Sequence, residues 1–117
     1  MYAAPIEQQV MLIQAHPDLA GKAAIAGALT AESAHEQSSA GLSRLTSDQF
    51  ATFTRLNQAY RDRFGFPFVI CAREHSATSI LERFATRLEH PRDQEIVTAL
   101  GEIAKIAWLR LLDAVRV

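Results

Sequence analysis

A chain of 117 residues, 49% apolar and 21% charged, has the composition of a single globular domain over residues 1–117 and lies far from the disordered class. A formal charge of -1, with the arginines interspersed among acids, argues against nucleic acid as a partner, and no apolar run approaches the ~20 residues of a membrane span. The one cysteine, Cys71, cannot form an internal disulfide; with no leader-like opening, this predicts a reducing, cytoplasmic setting.

Helical period governs the chain. Residues 5–15, PIEQQVMLIQA, open on a proline, which a first helical turn tolerates, and set Ile6, Val10 and Ile13 on one face. That helix should stop at His16, because a residue before proline is pushed out of the α region. Residues 19–29, LAGKAAIAGAL, carry small side chains and read as a short, broken helix. Thr30 should cap a helix running to about Ala40, with Gly41 as its stop.

Ser47 is the expected cap of a longer helix with a seam of Phe50, Phe53, Leu56 or Asn57, Tyr60 and Phe64, ended by Gly65. Ser76 should open another, with Ile80, Leu81, Phe84 and Leu88 inward and Pro91 beyond its end. The last helix spans about 92–115. Its inward stripe reads Ile96, Ala99, Ile103, Ile106, Ala107, Leu111 and Ala114, leaving Glu102, Lys105 and Arg116 on the exposed face. The expected fold is therefore all-α, a compact multi-helix bundle with one short extended apolar segment at about 65–72.

That segment breaks the pattern. FGFPFVICA, residues 64–72, is too apolar for a surface loop and too isolated to pair as a sheet. Its backbone N–H and C=O groups must find partners once buried, and a polar small molecule could supply them. The alternative is a connector whose side chains plug the core.

Three further places carry candidate chemistry. His16 sits at a helix C-terminus, and an ordinary imidazole titrates close enough to neutral pH for proton transfer. It could equally cap the helix by donating to the last carbonyls. Ser33, Glu36 and Gln37 lie three and four residues apart on one helix face, offering a hydroxyl, a carboxylate and an amide to a heterocycle; the plainer reading is a solvated polar face. Arg110 projects along the edge of the last helix's apolar stripe, where a guanidinium needs an anion. Glu36 or Glu95 could supply it, or a ligand carboxylate gripped through two parallel hydrogen bonds.

The four histidines show no metal-ligand spacing, so no metal site is expected, and Cys71 reads as a small buried hydrophobe without an activating base. No glycine-rich phosphate loop is present.

Taken in order, AHPDLAGK, LTAESAHEQSSAGL, LNQAYRDRFGFPFVICAREHS, ILERFATRLEH and EIAKIAWLRL resemble the 2-oxo-4-hydroxy-4-carboxy-5-ureidoimidazoline (OHCU) decarboxylase family over almost the whole chain. The resemblance implies an all-α homodimer that needs no cofactor and converts a small ureidoimidazoline carboxylate of urate breakdown to (S)-allantoin and CO₂. It places the catalytic acid/base on His16 and a second catalytic group on Glu36. Substrate contacts fall on Pro17, Ser33, Glu36, Gln37, the largely backbone run Phe68, Val69, Ile70, Cys71 and Ala72, and Arg110 as anion clamp. Family members carry further helices ahead of the His-Pro-Asp-Leu helix, with which this chain almost begins. A chain that kept the cleft without catalysis, as a helical module binding a purine-derived ligand or a protein, is the alternative.

Overall fold

The computed structural model describes residues 5–16, 18–19, 30–42 and 44–115. Within these lie five α-helices: α1 (Ile6–Gln14), α2 (Ala31–Ser39), α3 (Ser47–Phe64), α4 (Ala77–Leu88) and α5 (Arg92–Val115). One short 3₁₀ turn, Ala72–Glu74, follows the extended segment, and no strand occurs among the described residues. No described helix is long and apolar enough to cross a membrane. The broken helix expected after Leu19 lies outside the described residues.

Pro5 stands at the N-cap of α1, where its carbonyl accepts from the Gln8 and Gln9 amides. Only the second half of α1 reaches the core: Ile13 is fully buried and Val10 partly, whereas Ile6, expected on the same face, is exposed. In α2, Thr30 is the cap, its hydroxyl accepting from Ser33 N at 3.1 Å, and Gly41 beyond the end takes a φ of 79°. The cap of α3 is Thr46, one residue before the expected Ser47. Thr46 and Gln49 form a reciprocal capping box, with bonds of 3.1 and 3.0 Å, because they stand three residues apart and so satisfy one another's amides. Gly65 closes α3 in the left-handed region, φ 81°, its N–H donating to Arg61 O. Ser76 caps α4 through a second such box with Ser79.

The core gathers around Tyr60. Its ring meets Phe64, Phe66, Phe68 and Phe84 edge-on or tilted, at centroid separations of 4.5–6.4 Å. Phe68 stacks on Phe84 at 3.8 Å. Each such ring, once buried, contributes on the order of 1.5–3 kcal/mol. Every residue from Phe66 to Ala72 is buried, so the extended segment does plug the core with its side chains. From the α3 seam, Phe53, Asn57, Tyr60 and Phe64 point inward, while Phe50 lies at the exposed start.

On α5 the stripe holds through Ile96, Ala99, Ile103 and Ile106, with Leu100 added. Beyond Ile106 the contact with the core thins to the partly buried Leu109, and Ala107, Leu111 and Ala114 are exposed rather than inward. Glu102, expected on the open face, is instead half-buried, because its carboxylate turns toward the extended segment. Lys105 is exposed as expected, and Arg116 lies outside the described residues.

The interior also holds a charged cluster that the sequence did not announce. Glu95 is fully buried and accepts from Tyr60 Oη at 2.5 Å, Arg87 Nε at 2.7 Å and His90 Nδ1 at 2.8 Å. Burial first, and the neighbouring Glu95 carboxylate with it, push the Tyr60 hydroxyl far above the ordinary phenol range despite Arg87. Arg87 packs its guanidinium over the Phe68 ring at 4.3 Å.

Candidate active site

The end of α1, one face of α2, the edge of α5 and the extended segment line an open cleft, whose empty space, with the solvent at its mouth included, is about 390 Å³.

His16 follows the end of α1, its amide bonded to Ile13 O, and its ring nitrogen Nδ1 lies 3.1 Å from Leu12 O. A carbonyl can only accept, so Nδ1 carries the hydrogen, and in the neutral ring Nε2 holds the lone pair. Capping and cleft-lining are thus compatible: one nitrogen secures the ring to α1, and the other remains for chemistry. The turn that follows is fastened from two sides. Arg61 pairs with Asp18 at 2.8 Å, Asn57 Nδ2 donates to Leu19 O at 2.8 Å, and Gln37 Nε2 reaches Asp18 O at 3.4 Å.

The polar face of α2 is not solvated. Glu36 is 7% and Gln37 6% exposed, and Ser33 is half-buried beside them. Arg110 comes to this face from α5. Its Nε donates to Glu36 Oε2 at 2.9 Å and its Nη2 to Glu36 Oε1 at 2.7 Å, the two-pronged geometry of an arginine fork. A longer bond, 3.4 Å, runs from Nη2 to Ser33 Oγ. Of the two internal anions considered for Arg110, Glu36 is the partner, and Glu95 belongs to Arg87 instead. The hydrogen bonds from Arg110 to Glu36 raise the guanidinium's affinity for its proton, so the group stays charged.

The fourth wall is the extended backbone. Val69 O accepts from Arg87 Nη1 at 2.7 Å, and Cys71 N donates to Glu102 Oε1 at 3.1 Å. The N–H and C=O of Ile70, between them, have no hydrogen-bond partner among the described residues, although Ile70 is 4% exposed. A buried backbone group left this way costs about 1–3 kcal/mol, which a ligand would recover.

Of the residues singled out from sequence, His16, Ser33, Glu36, Gln37, Phe68, Val69, Ile70, Ala72 and Arg110 all line this cleft. Cys71 does not: it is buried behind the wall, its amide is taken by Glu102, and burial pushes its thiol up. Pro17 lies outside the described residues. Leu19 and Ile106 complete the lining as apolar surfaces that sequence reasoning had not placed there. Their signal was present, since Ile106 is four residues before Arg110 on the same helix and Leu19 is three after His16.

Comparison with known proteins bears on the same chain as a whole. The family model described as OHCU decarboxylase matches residues 1–112. The chain belongs to the OHCU decarboxylase family. Among its relatives, the OHCU decarboxylase of Amia calva is 47% identical over 112 residues, which is 96% of this chain and 64% of that protein. That of Mus musculus is 46% identical over 95% of this chain and 62% of its own length, and that of Halalkalicoccus jeotgali 44% over 90% and 57%. The chain therefore spans less than two thirds of the length of these relatives. Among solved structures, an (S)-allantoin synthase superposes with a TM-score of 0.70 at 31% identity, covering 96% of this chain and 33% of that one. An OHCU decarboxylase crystallised in the presence of (S)-allantoin shares the fold, with a TM-score of 0.77 at 23% identity over 96% and 70% of the two chains.

Proposed function

We propose that this chain decarboxylates 2-oxo-4-hydroxy-4-carboxy-5-ureidoimidazoline, giving (S)-allantoin and CO₂. The observation that carries the reading is the meeting of His16, Glu36 and Arg110 in one cleft, although 94 residues of sequence separate the first from the last. Family membership and the names of the relatives support the same substrate class.

In this reading Arg110 steers the anionic substrate inward. Its bonds to Glu36 and Ser33 employ Nε and Nη2, and the donors on Nη1 are not used by either. The leaving carboxylate is held out of the ring plane, so that the breaking C–C bond overlaps the ring's π system. The electron pair left by departing CO₂ spreads into the ring. His16, with Glu36 across the cleft, manages the proton that is delivered to one face of the carbon, which fixes the handedness of the product. Acid–base help of this kind contributes about 10²–10⁴-fold, and orientation with electrostatics supplies the rest. The chemistry proposed calls on no cofactor and no metal.

The test generates the unstable substrate in place from urate with the upstream enzymes and follows the rate and optical activity of allantoin formation. Spontaneous decay gives racemate. Acceleration with an excess of the S form is the expected result, and neither would leave only the non-catalytic binding module. His16→Ala should abolish turnover while the far-ultraviolet helical signal persists; normal turnover in that variant would remove His16 from its role.

We further infer that the working form is a cytoplasmic homodimer. Trp108, Leu111 and Val115 stand at spacings of three and four on α5 and are 59%, 56% and 70% exposed, a run of apolar surface suited to a second copy. Sedimentation velocity should give twice the chain mass, and Trp108→Glu should return it to one.

A further inference from the structure

The peptide groups on either side of Ile70 are gripped from behind the cleft wall. Peptide bonds in the described chain are trans, so the C=O of one residue and the N–H of the next point in opposite directions across a rigid plane. Arg87 Nη1 holds Val69 O at 2.7 Å, which directs Ile70 N–H away from Arg87. Glu102 Oε1 holds Cys71 N at 3.1 Å, which directs Ile70 O away from Glu102. Ile70 lines the cleft, whereas Arg87, Glu102 and Cys71 do not.

Both grips are themselves anchored. Arg87 is fixed by Glu95 at 2.7 Å, with 5% of its side chain exposed. Glu102, 12% exposed, is held by Lys105 Nζ at 2.8 Å. Burial alone would raise the Glu102 carboxyl, but hydrogen bonds from Lys105 and the Cys71 amide outweigh it and keep the group below the usual carboxylate range.

We propose that Glu102 and Arg87 are positioning residues: they fix the two peptide planes flanking Ile70 so that its N–H and C=O face the cleft as an adjacent donor and acceptor. Neither side chain touches the ligand. The pair matches an amide edge, an N–H beside a C=O, and so selects a cyclic ureide. This deepens the decarboxylase reading and rests on it for the identity of the ligand.

Glu102 offers the cleaner test, because Arg87 also holds the buried Glu95. In Glu102→Leu the acceptor for Cys71 N is lost; in Glu102→Gln an amide oxygen can still take its place. Allantoin serves as the probe, with amide resonances of the intact chain followed by nitrogen-15 NMR. In the wild type, allantoin should shift the Ile70 amide and slow its hydrogen exchange. In Glu102→Leu the Cys71 amide should exchange faster and the Ile70 response should shrink. The allantoin Kd and the KM for decarboxylation should each rise about tenfold, with kcat changed less. Glu102→Gln should restore the Ile70 response.

A Glu102→Leu chain that binds allantoin like the wild type, with the Ile70 response intact, overturns the proposal, as does a wild type in which allantoin leaves Ile70 unmoved. A loss of thermal stability in Glu102→Leu without change at Ile70 assigns Glu102 a purely structural part and equally overturns it. A wild type that fails to decarboxylate, yet shows the Ile70 response and its loss in Glu102→Leu, removes the activity reading alone and leaves the positioning role standing.

Discussion

Replacing Glu95 by glutamine tests the buried cluster with the least change in shape. The carboxylate has no exposure and receives three side-chain donors, from Tyr60, Arg87 and His90, at 2.5–2.8 Å. Glutamine keeps one acceptor oxygen for Tyr60 and Arg87, so those two bonds survive in neutral form. What it removes is the one carboxylate paired with Arg87 among the described residues, a guanidinium with 5% of its side chain exposed. An uncompensated buried charge costs about 3–5 kcal/mol, and the retained bonds place this case near 3. A typical small domain has only about 5–15 kcal/mol in total, so the loss is a large share. At about 2.1 cal/mol/K per residue, 117 residues carry roughly 0.25 kcal/mol/K of unfolding entropy, and 3 kcal/mol becomes a fall of about 12 °C in Tm. Urea unfolding with an m value of about 1.5 kcal/mol/M should lose about 2 M of midpoint. Unfolding of Glu95→Gln within 2–3 °C of the wild type would refute the reasoning, because the charge of Arg87 would then be compensated by something other than Glu95.

Arg110→Lys replaces a two-pronged fork with a point charge. Since 37% of the Arg110 side chain is exposed, stability should change little, while kcat/KM for decarboxylation should fall between about tenfold and a hundredfold, measured beside the wild type with Tm as control. Tyr60 sets an alkaline limit. Its folded hydroxyl titrates above the ordinary value of 10.0, so its contribution is fully present below that value and is lost as pH rises toward the folded one. Stability should decline by about 1.4 kcal/mol per pH unit in that window, and Tyr60→Phe should remove that slope in urea titrations followed at successive pH values.

The helices were legible because they rest on local rules. Thr30, Ser76, Gly41 and Gly65 fix their positions through bonds to residues three or four away, and spacing along the chain records that directly. The one displaced cap, at Thr46, came from weighing Ser47 alone rather than its partner at Gln49. The extended segment was visible as an anomaly, and the two readings offered for it are compatible: its side chains fill the core, while Phe68, Val69, Ile70 and Ala72 also line the cleft.

The buried cluster was harder to see. Arg87 stands three residues after Phe84 and seven after Ile80, and Glu95 stands four before Ala99 and eight before Ile103, so both lie on apolar stripes as Arg110 does. Applying to Arg87 the argument used for Arg110 would have singled it out. The choice of partner would have stayed open, since pairing across 8, 35 or 74 positions depends on how helices pack and not on local period.

An arginine that already grips an internal carboxylate imposes a selection rule on whatever enters. Whatever enters must bond to the donors that the fork leaves over, those on Nη1, with the Arg110–Glu36 pair intact. The internal carboxylate thereby keeps the guanidinium compensated whether the cleft is empty or full, so a molecule can come or go without any rearrangement of the protein's own charges.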